Sequence, residues 1–129
     1  MQRDLARTDN VDLAAGASGT VVRITRDETR GYDVYLKGAG LDLSPTSNED
    51  HATFRLRVDG VPRYPYERVQ TRFASSALPL RFDVPYYLGQ GVEVEWFGEM
   101  GGGATGTTTM VGTLLLILTE PGKSPRIGG

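Results

Sequence analysis

The sequence contains no cysteine. It can form neither a disulfide framework nor thiolate chemistry, and its redox compartment is left open. It has one histidine, His51. A zinc site built on paired histidines is therefore excluded, and a serine or cysteine triad would need that single residue as its base. Ser75 and Ser76 lack the flanking pattern of a nucleophile elbow. Long apolar runs are also missing. The longest, Leu114 to Leu118, is far too short to span a bilayer. Met1 to Asn10 is charged and lacks the apolar core of a signal peptide. No membrane partner is expected. Charge of one sign is not in excess either: 14 basic residues stand against 16 acidic ones, for a net of −2. Binding along a phosphate backbone draws on a basic excess, so no nucleic-acid partner is expected. Lysine is scarce as well, with only Lys37 and Lys123 among the cations. Arginine suits interfaces through its planar, bidentate fork. A GC-rich coding sequence produces the same skew and is the plainer explanation.

What is present is a period of two. Val22 and Ile24 alternate with Val21, Arg23 and Thr25. Tyr32, Val34 and Leu36 alternate with Asp33, Tyr35 and Lys37. The same holds for Phe54, Leu56 and Val58 around Arg55 and Arg57, and for Leu80, Phe82 and Val84 around Arg81 and Asp83. It holds again for Val92, Val94 and Trp96 around Glu93 and Glu95. Side chains on a strand point to opposite faces in turn, so each run predicts a half-buried strand. Phe54, Leu56, Val58, Phe82, Val84, Val92, Val94 and Trp96 are expected to face inward, with Arg55, Arg57, Glu93 and Glu95 outward. Leu114 to Leu118 is apolar on both faces, which predicts a central strand covered on both sides, by a partner subunit on one of them.

Turn residues separate the runs: Thr29-Arg30-Gly31, Gly38-Ala39-Gly40, the polar stretch Ser44 to His51, Asp59-Gly60 and Gly89-Gln90-Gly91. Tyr66 to Phe73 is a candidate further strand. No window carries a convincing helical pattern. Seven or eight short strands with regular turns predict an all-β fold, a single antiparallel β-sandwich that is jelly-roll-like or immunoglobulin-like. Residues 1–19, polar and then small, predict an extended N-terminal arm that orders against a neighbour. Residues 20–120 form the sandwich domain and 121–129 a C-terminal tail.

The motifs that resemble chemistry fail on context. Gly101-Gly102-Gly103-Ala104-Thr105-Gly106 spells a dinucleotide loop by letter. That loop needs a strand before it and a helix after it, and here a threonine run leads into a strand. Thr107 also occupies the position that the lysine of a phosphate loop would take. His51 follows Asn48-Glu49-Asp50 without calcium-loop or zinc spacing, so a solvated loop is the better reading. Glu93 and Glu95 lie on one polar face, opposite in charge to Arg55 and Arg57. Cross-strand ion pairing suits them better than glycoside hydrolysis. No catalytic residue, metal or cofactor is expected. Interface residues are expected among the loop tyrosines Tyr64, Tyr66, Tyr86 and Tyr87, because tyrosine and arginine anchor contacts. The connection Met100, Gly101, Gly102 and Gly103 is expected as a flexible contact finger.

The arm at 1–19, the segment Thr53 to Gly60, the pair Leu80 to Val84 and Gly91 to Trp96, and the closing strand Gly112 to Thr119 together resemble small β-sandwich structural proteins of tailed bacteriophages. The likeness is greatest to capsid decoration, or cement, proteins. It covers most of the chain and contains no diagnostic motif, so no individual residue role carries over. It implies a non-enzymatic viral structural protein on the capsid exterior. Its partners would be the major capsid protein or another virion protein, and it would form a homo-oligomer, a dimer or trimer, that bridges shell subunits. The alternative is a carbohydrate- or host-receptor-binding module that uses the loop tyrosines and Trp96. A small hydrolase would have to manage without an evident base.

Overall fold

A computed structural model of the chain describes residues 2–69, 75 and 79–125. The chain builds eight strands: β1 Arg3–Leu13, β2 Ser18–Ile24, β3 Asp33–Ser44, β4 Ala52–Val58, β5 Val61–Pro62, β6 Leu80–Gln90, β7 Val94–Met100 and β8 Thr108–Thr119. A four-residue helix, α1 (Arg26–Thr29), joins β2 to β3. A 3₁₀ segment, Thr46–His51, joins β3 to β4. One sheet has the order β1-β8-β3-β6 and the other β2-β7-β4-β5. Every neighbouring pair is antiparallel. Consecutive strands fall in opposite sheets except for the hairpin β4–β5. This arrangement of eight strands in two sheets is the jelly roll.

Alternation explains the core. Phe54, Leu56, Val58, Val94 and Trp96 point inward and are buried. From the opposite sheet they meet Val34, Leu36, Leu41, Met110, Leu114, Leu116 and Leu118, all in the same cluster. Each such aliphatic side chain contributes about 1.5–3 kcal/mol by leaving water. Gly112 marks where the sheets come closest: a Cβ there would stand 3.0 Å from Val22 and 3.1 Å from Val21. The Asp59-Gly60 turn forms as expected, with both residues at positive φ, 54° and 80°.

Five expectations change. Gly38-Ala39-Gly40 is not a turn but the middle of the continuous strand β3, paired with Leu115, Leu114 and Thr113 of β8. Residues 1–19 hold strand β1, which pairs one to one with β8 from Arg3 opposite Leu118 to Leu13 opposite Thr108. Its inward row is Leu5, Arg7, Asp9, Val11 and Leu13, so two charged residues hide an apolar period that Leu5, Val11 and Leu13 still follow. Val84 is 77% exposed rather than inward. The pairing of β6 jumps from Gly38–Arg81 to Leu36–Tyr86, so Phe82 to Pro85 bulge out and lose the alternation. Glu95 lies on the outer face as expected, yet it is only 2% exposed because arginines roof it over. Finally, the outward residues of β8, Leu115 and Ile117, are buried by the chain itself. Lys37 of β3 reaches Asp4 of β1 at 3.1 Å, and β8 runs between those two strands. That ion pair straps the apolar strand from above without a partner subunit.

Val69 forms a bridge with Phe54, which supports the start of the strand expected at Tyr66 to Phe73. Its last four residues lie outside the described ones, as do residues 126–129 of the expected C-terminal tail.

Candidate functional site: an aromatic edge and a pinned glycine connection

The four candidate tyrosines do not act alike. Tyr64, in the turn after β5, is 73% exposed. The Tyr86 hydroxyl donates to the Tyr64 carbonyl at 2.7 Å. Tyr66 turns inward instead. Its ring stacks on Phe82 at 6.0 Å and meets Trp96 edge-on at 6.5 Å. Burial raises the Tyr66 phenol above its ordinary value, with a smaller contribution from Tyr86. Arg63 holds this corner together. Its guanidinium lies 5.4 Å from the Tyr86 ring and donates to the carbonyls of Leu88 and Tyr87, each at 3.0 Å. Tyr87 faces the other side of β6, where its ring packs against Tyr35 at 5.1 Å. Its hydroxyl reaches Asp33 Oδ1 at 3.4 Å, and its phenol too is raised, by desolvation first and then by that carboxylate.

Tyr64, Tyr66 and Tyr86 thus gather where the β5 side of one sheet meets the β6 edge of the other. The edge strands of the two sheets also carry exposed apolar residues, Val61 on β5 and Leu80 and Val84 on β6. Trp96 is fully buried, so it drops out of any sugar-stacking platform.

Met100, Gly101, Gly102 and Gly103 are elsewhere. Met100 pairs with Ala52 at the end of β7 remote from Val94 and Val58. The connection 101–107 crosses from one sheet to the other, so it is not a hairpin loop. It is also tied down. The Gly101 N–H donates to the His51 carbonyl at 2.7 Å, and Gly16 N–H donates to the Gly101 carbonyl at 3.3 Å. Asn48, missed in the sequence, does most of the holding. Its Nδ2 donates to the Thr105 carbonyl and to Thr108 Oγ1, both at 2.9 Å, and its Oδ1 accepts the Thr105 N–H at 3.1 Å. Nothing in a polar run such as Thr46 to His51 distinguishes a buried asparagine from a solvated one. Only its place before the glycine-rich connection in space reveals it. His51 is exposed, as expected, and lies against Gly103.

The outer face of the β2-β7-β4-β5 sheet carries a charge ladder. Glu95 accepts from Thr20 Oγ1 at 2.8 Å and from Arg23 at 3.1 Å, and Arg57 lies 3.4 Å away. Arg55 pairs with Glu99 at 2.8 Å, and the Arg57 guanidinium sits 4.4 Å from the Phe97 ring centre. These side chains, with Gly60 and Pro62, line an open groove of about 250 Å³. Each of its two cations is neutralised from within, so the groove offers little to a free anion. Among the described residues, no group of three or more histidine, cysteine or acidic side chains is placed to hold a metal ion. No described helix is long and apolar enough to cross a membrane.

No protein-family model matches the sequence, and no curated protein matches it. The fold is similar to that of a chain in the acidic stable capsid structure of Helicobacter pylori bacteriophage KHP30. The TM-score is 0.45 at 6% identity, over 93% of this chain and 94% of that one.

Proposed function

We propose that the chain is a non-enzymatic viral structural protein that decorates the outside of a capsid and stabilises it by bridging shell subunits. The observation that carries the reading is the apolar edge. Val61, Tyr64, Leu80 and Val84 are exposed on or beside the two edge strands β5 and β6, while among the described residues the outer faces of both sheets carry ion pairs. Clustered exposed apolar side chains mark contact surfaces. The jelly roll is an architecture that viral capsid and lectin domains share. Many copies on a repeating shell would let modest contacts at this edge sum through multivalency. The shell protein is the partner this reading requires.

The test is immunogold labelling of intact particles purified from the source that encodes the chain, with antibody raised against the folded protein. Label on the outside of closed shells is the expected result. No label, or label only after the shells are opened, overturns the reading. A glycan-binding role has one specific observation in its favour, the 73% exposure of the Tyr64 ring. Because Trp96 is buried, its fluorescence is a poor reporter, and glycan binding is better read by calorimetry.

A further inference from the structure

We infer that two copies of the chain join through β1, edge to edge and antiparallel about a two-fold axis centred on Thr8, so that two four-stranded sheets fuse into one of eight strands.

The two sheets present four edge strands: β1, β6, β2 and β5. An open edge is a template for another strand, and proteins blunt it with short length, proline, bulges or caps. Among the described residues, three of the four are blunted. β5 has two residues, one of them Pro62. β6 breaks register twice, bulges at Phe82 to Pro85, and has two of its carbonyls capped by Arg63. β2 is bulged between Thr20 and Val22, and its Arg23 carbonyl accepts from Arg7 at 3.2 Å. β1 is different. It runs eleven residues with no proline and no register shift, and its two inward charges, Arg7 and Asp9, are of opposite sign, so they block a mismatched strand but not a matching copy of β1.

The sequence of β1 is complementary to itself in one central register. With Thr8 opposite Thr8, the inward row sets Leu5 against Val11 and Arg7 against Asp9, each twice. Leu5 and Val11 are only half-buried in the single chain, so each has apolar surface left to cover. Asp9 is exposed, and Arg7, though forked onto Glu28, retains free N–H groups. Centring the axis on Arg7 would oppose the two Arg7 side chains and set Leu5 against Asp9. Centring it on Asp9 would oppose the two Asp9 side chains. Registers further out set Leu5 against Arg7 or Val11 against Asp9. A shift by one residue would set the inward row of one copy against the outward row of the other. Cross-strand pairs are the unit of sheet stabilisation, so the inward pairs select the Thr8-centred register, even though its outward row opposes Asp4 to Asp12 twice.

The absence of cysteine makes a direct test available. Directly opposed Cα atoms in an antiparallel pair are about 4.5–5.5 Å apart, inside the range of about 4.4–6.8 Å that a disulfide spans. In glutathione redox buffer the full-length Thr8→Cys variant should cross-link to itself rapidly. Asn10→Cys, on the same outward face but opposite Ala6 of the second copy, should lag by at least about tenfold. Sedimentation equilibrium supplies the second measurement. Asp9→Arg places like charges opposite Arg7 and should weaken the dimer about tenfold or more. Asp12→Arg faces Asp4 of the second copy and should tighten it, although both changes add the same charge. Circular dichroism checks that both variants keep the fold. A chain that stays monomeric at high micromolar concentration overturns the inference. So do two aspartate variants that shift in the same direction, or Asn10→Cys cross-linking as fast as Thr8→Cys. None of these results bears on whether the protein labels a shell, so the two proposals fail separately.

Discussion

Replacing Gly38 with alanine tests the packing of the β3–β6 seam, because two effects of opposite sign compete there. Gly38 does not have positive φ, so its backbone conformation suits alanine. On backbone entropy alone the change should stabilise the protein by about 0.4–1 kcal/mol. The site has no room. An added Cβ would stand 2.3 Å from the Leu80 carbonyl oxygen, 3.0 Å from Leu115 Cδ1 and 3.2 Å from Arg81 Cα. Two of those atoms are backbone, so no rotamer change relieves the clash. The Leu80–Arg81 end of β6 must retreat by about 1 Å to regain an ordinary separation. That retreat weakens the pairings Gly38–Arg81 and Ala39–Leu80. One or two backbone hydrogen bonds at about 1 kcal/mol each, plus an overpacking cost of about 1–3 kcal/mol, outweigh the entropic gain. The expected outcome is a net loss of about 2–4 kcal/mol. Gly19→Ala is the control, since its Cβ would meet Leu13 and Val11 at 3.5 and 3.7 Å, ordinary contact distances. It should be neutral or slightly stabilising. Urea unfolding followed by the fluorescence of Trp96, the only tryptophan and fully buried, measures both. A Gly38→Ala protein as stable as the parent would refute the reasoning.

Asn48→Ala removes two hydrogen bonds to Thr105 and one to Thr108, which pin the 101–107 connection and the start of β8, and should cost about 2–3 kcal/mol. Hydrogen exchange should quicken across that connection while β4 keeps its protection, and unchanged exchange there would show that the pin lies elsewhere. Glu28 is held at about 2, below its ordinary value of 4.5, chiefly by the Arg7 fork, with the Thr25 N–H and hydroxyl adding to it. A carboxyl depressed in the folded state contributes stability that is complete above about 4.5 and is lost as pH falls towards about 2. Glu28→Gln should therefore cost up to about 1 kcal/mol at neutral pH, as a partly exposed pair does. Its denaturation curve should converge on that of the parent near pH 2, and a gap that persists there would count against the ion pair as the cause.

The all-β class and the cores of β2, β3, β4 and β7 were legible because alternation is a local signal, and β8 because its apolar run marks a central strand. Ile24, Leu36, Leu56 and Trp96 each reveal an inward face through their neighbours two residues away. What failed was either non-local or masked by charge. β1 was hidden because Arg7 and Asp9 occupy its inward row, and Arg7 is accommodated there by Glu28 and the Arg23 carbonyl, 21 and 16 residues further on. Val84 was misplaced because a bulge is set by the partner strand rather than by the bulged sequence. Glu95 was correctly put on a polar face, but its burial depends on Arg23 and Arg57, which arrive from two other strands. At the candidate site, composition singles out Tyr64, Tyr66, Tyr86 and Tyr87 without saying that the first three gather while Tyr87 faces the other way. The division into an outward Tyr64 and an inward Tyr66 follows from turn geometry that composition does not encode. The glycine-rich connection reads in the sequence as a flexible finger, while its rigidity rests on an asparagine 57 positions from the backbone it grips.

The place of β8 between β1 and β3 has a consequence for how the molecule is made. The strand that fills the lane between β1 and β3 leaves the ribosome after both of them. Until then β1 and β3 have an empty lane between them, with the inward faces of Leu5, Val11, Leu36 and Leu41 uncovered. Partial chains of this kind fold late and associate readily, because non-local pairing must wait for its partner. A β8 segment from a neighbouring nascent chain fits the same lane as the chain's own. Synthesis on crowded polysomes therefore favours exchange of β8 between copies, and slow translation between β3 and β8 would increase it.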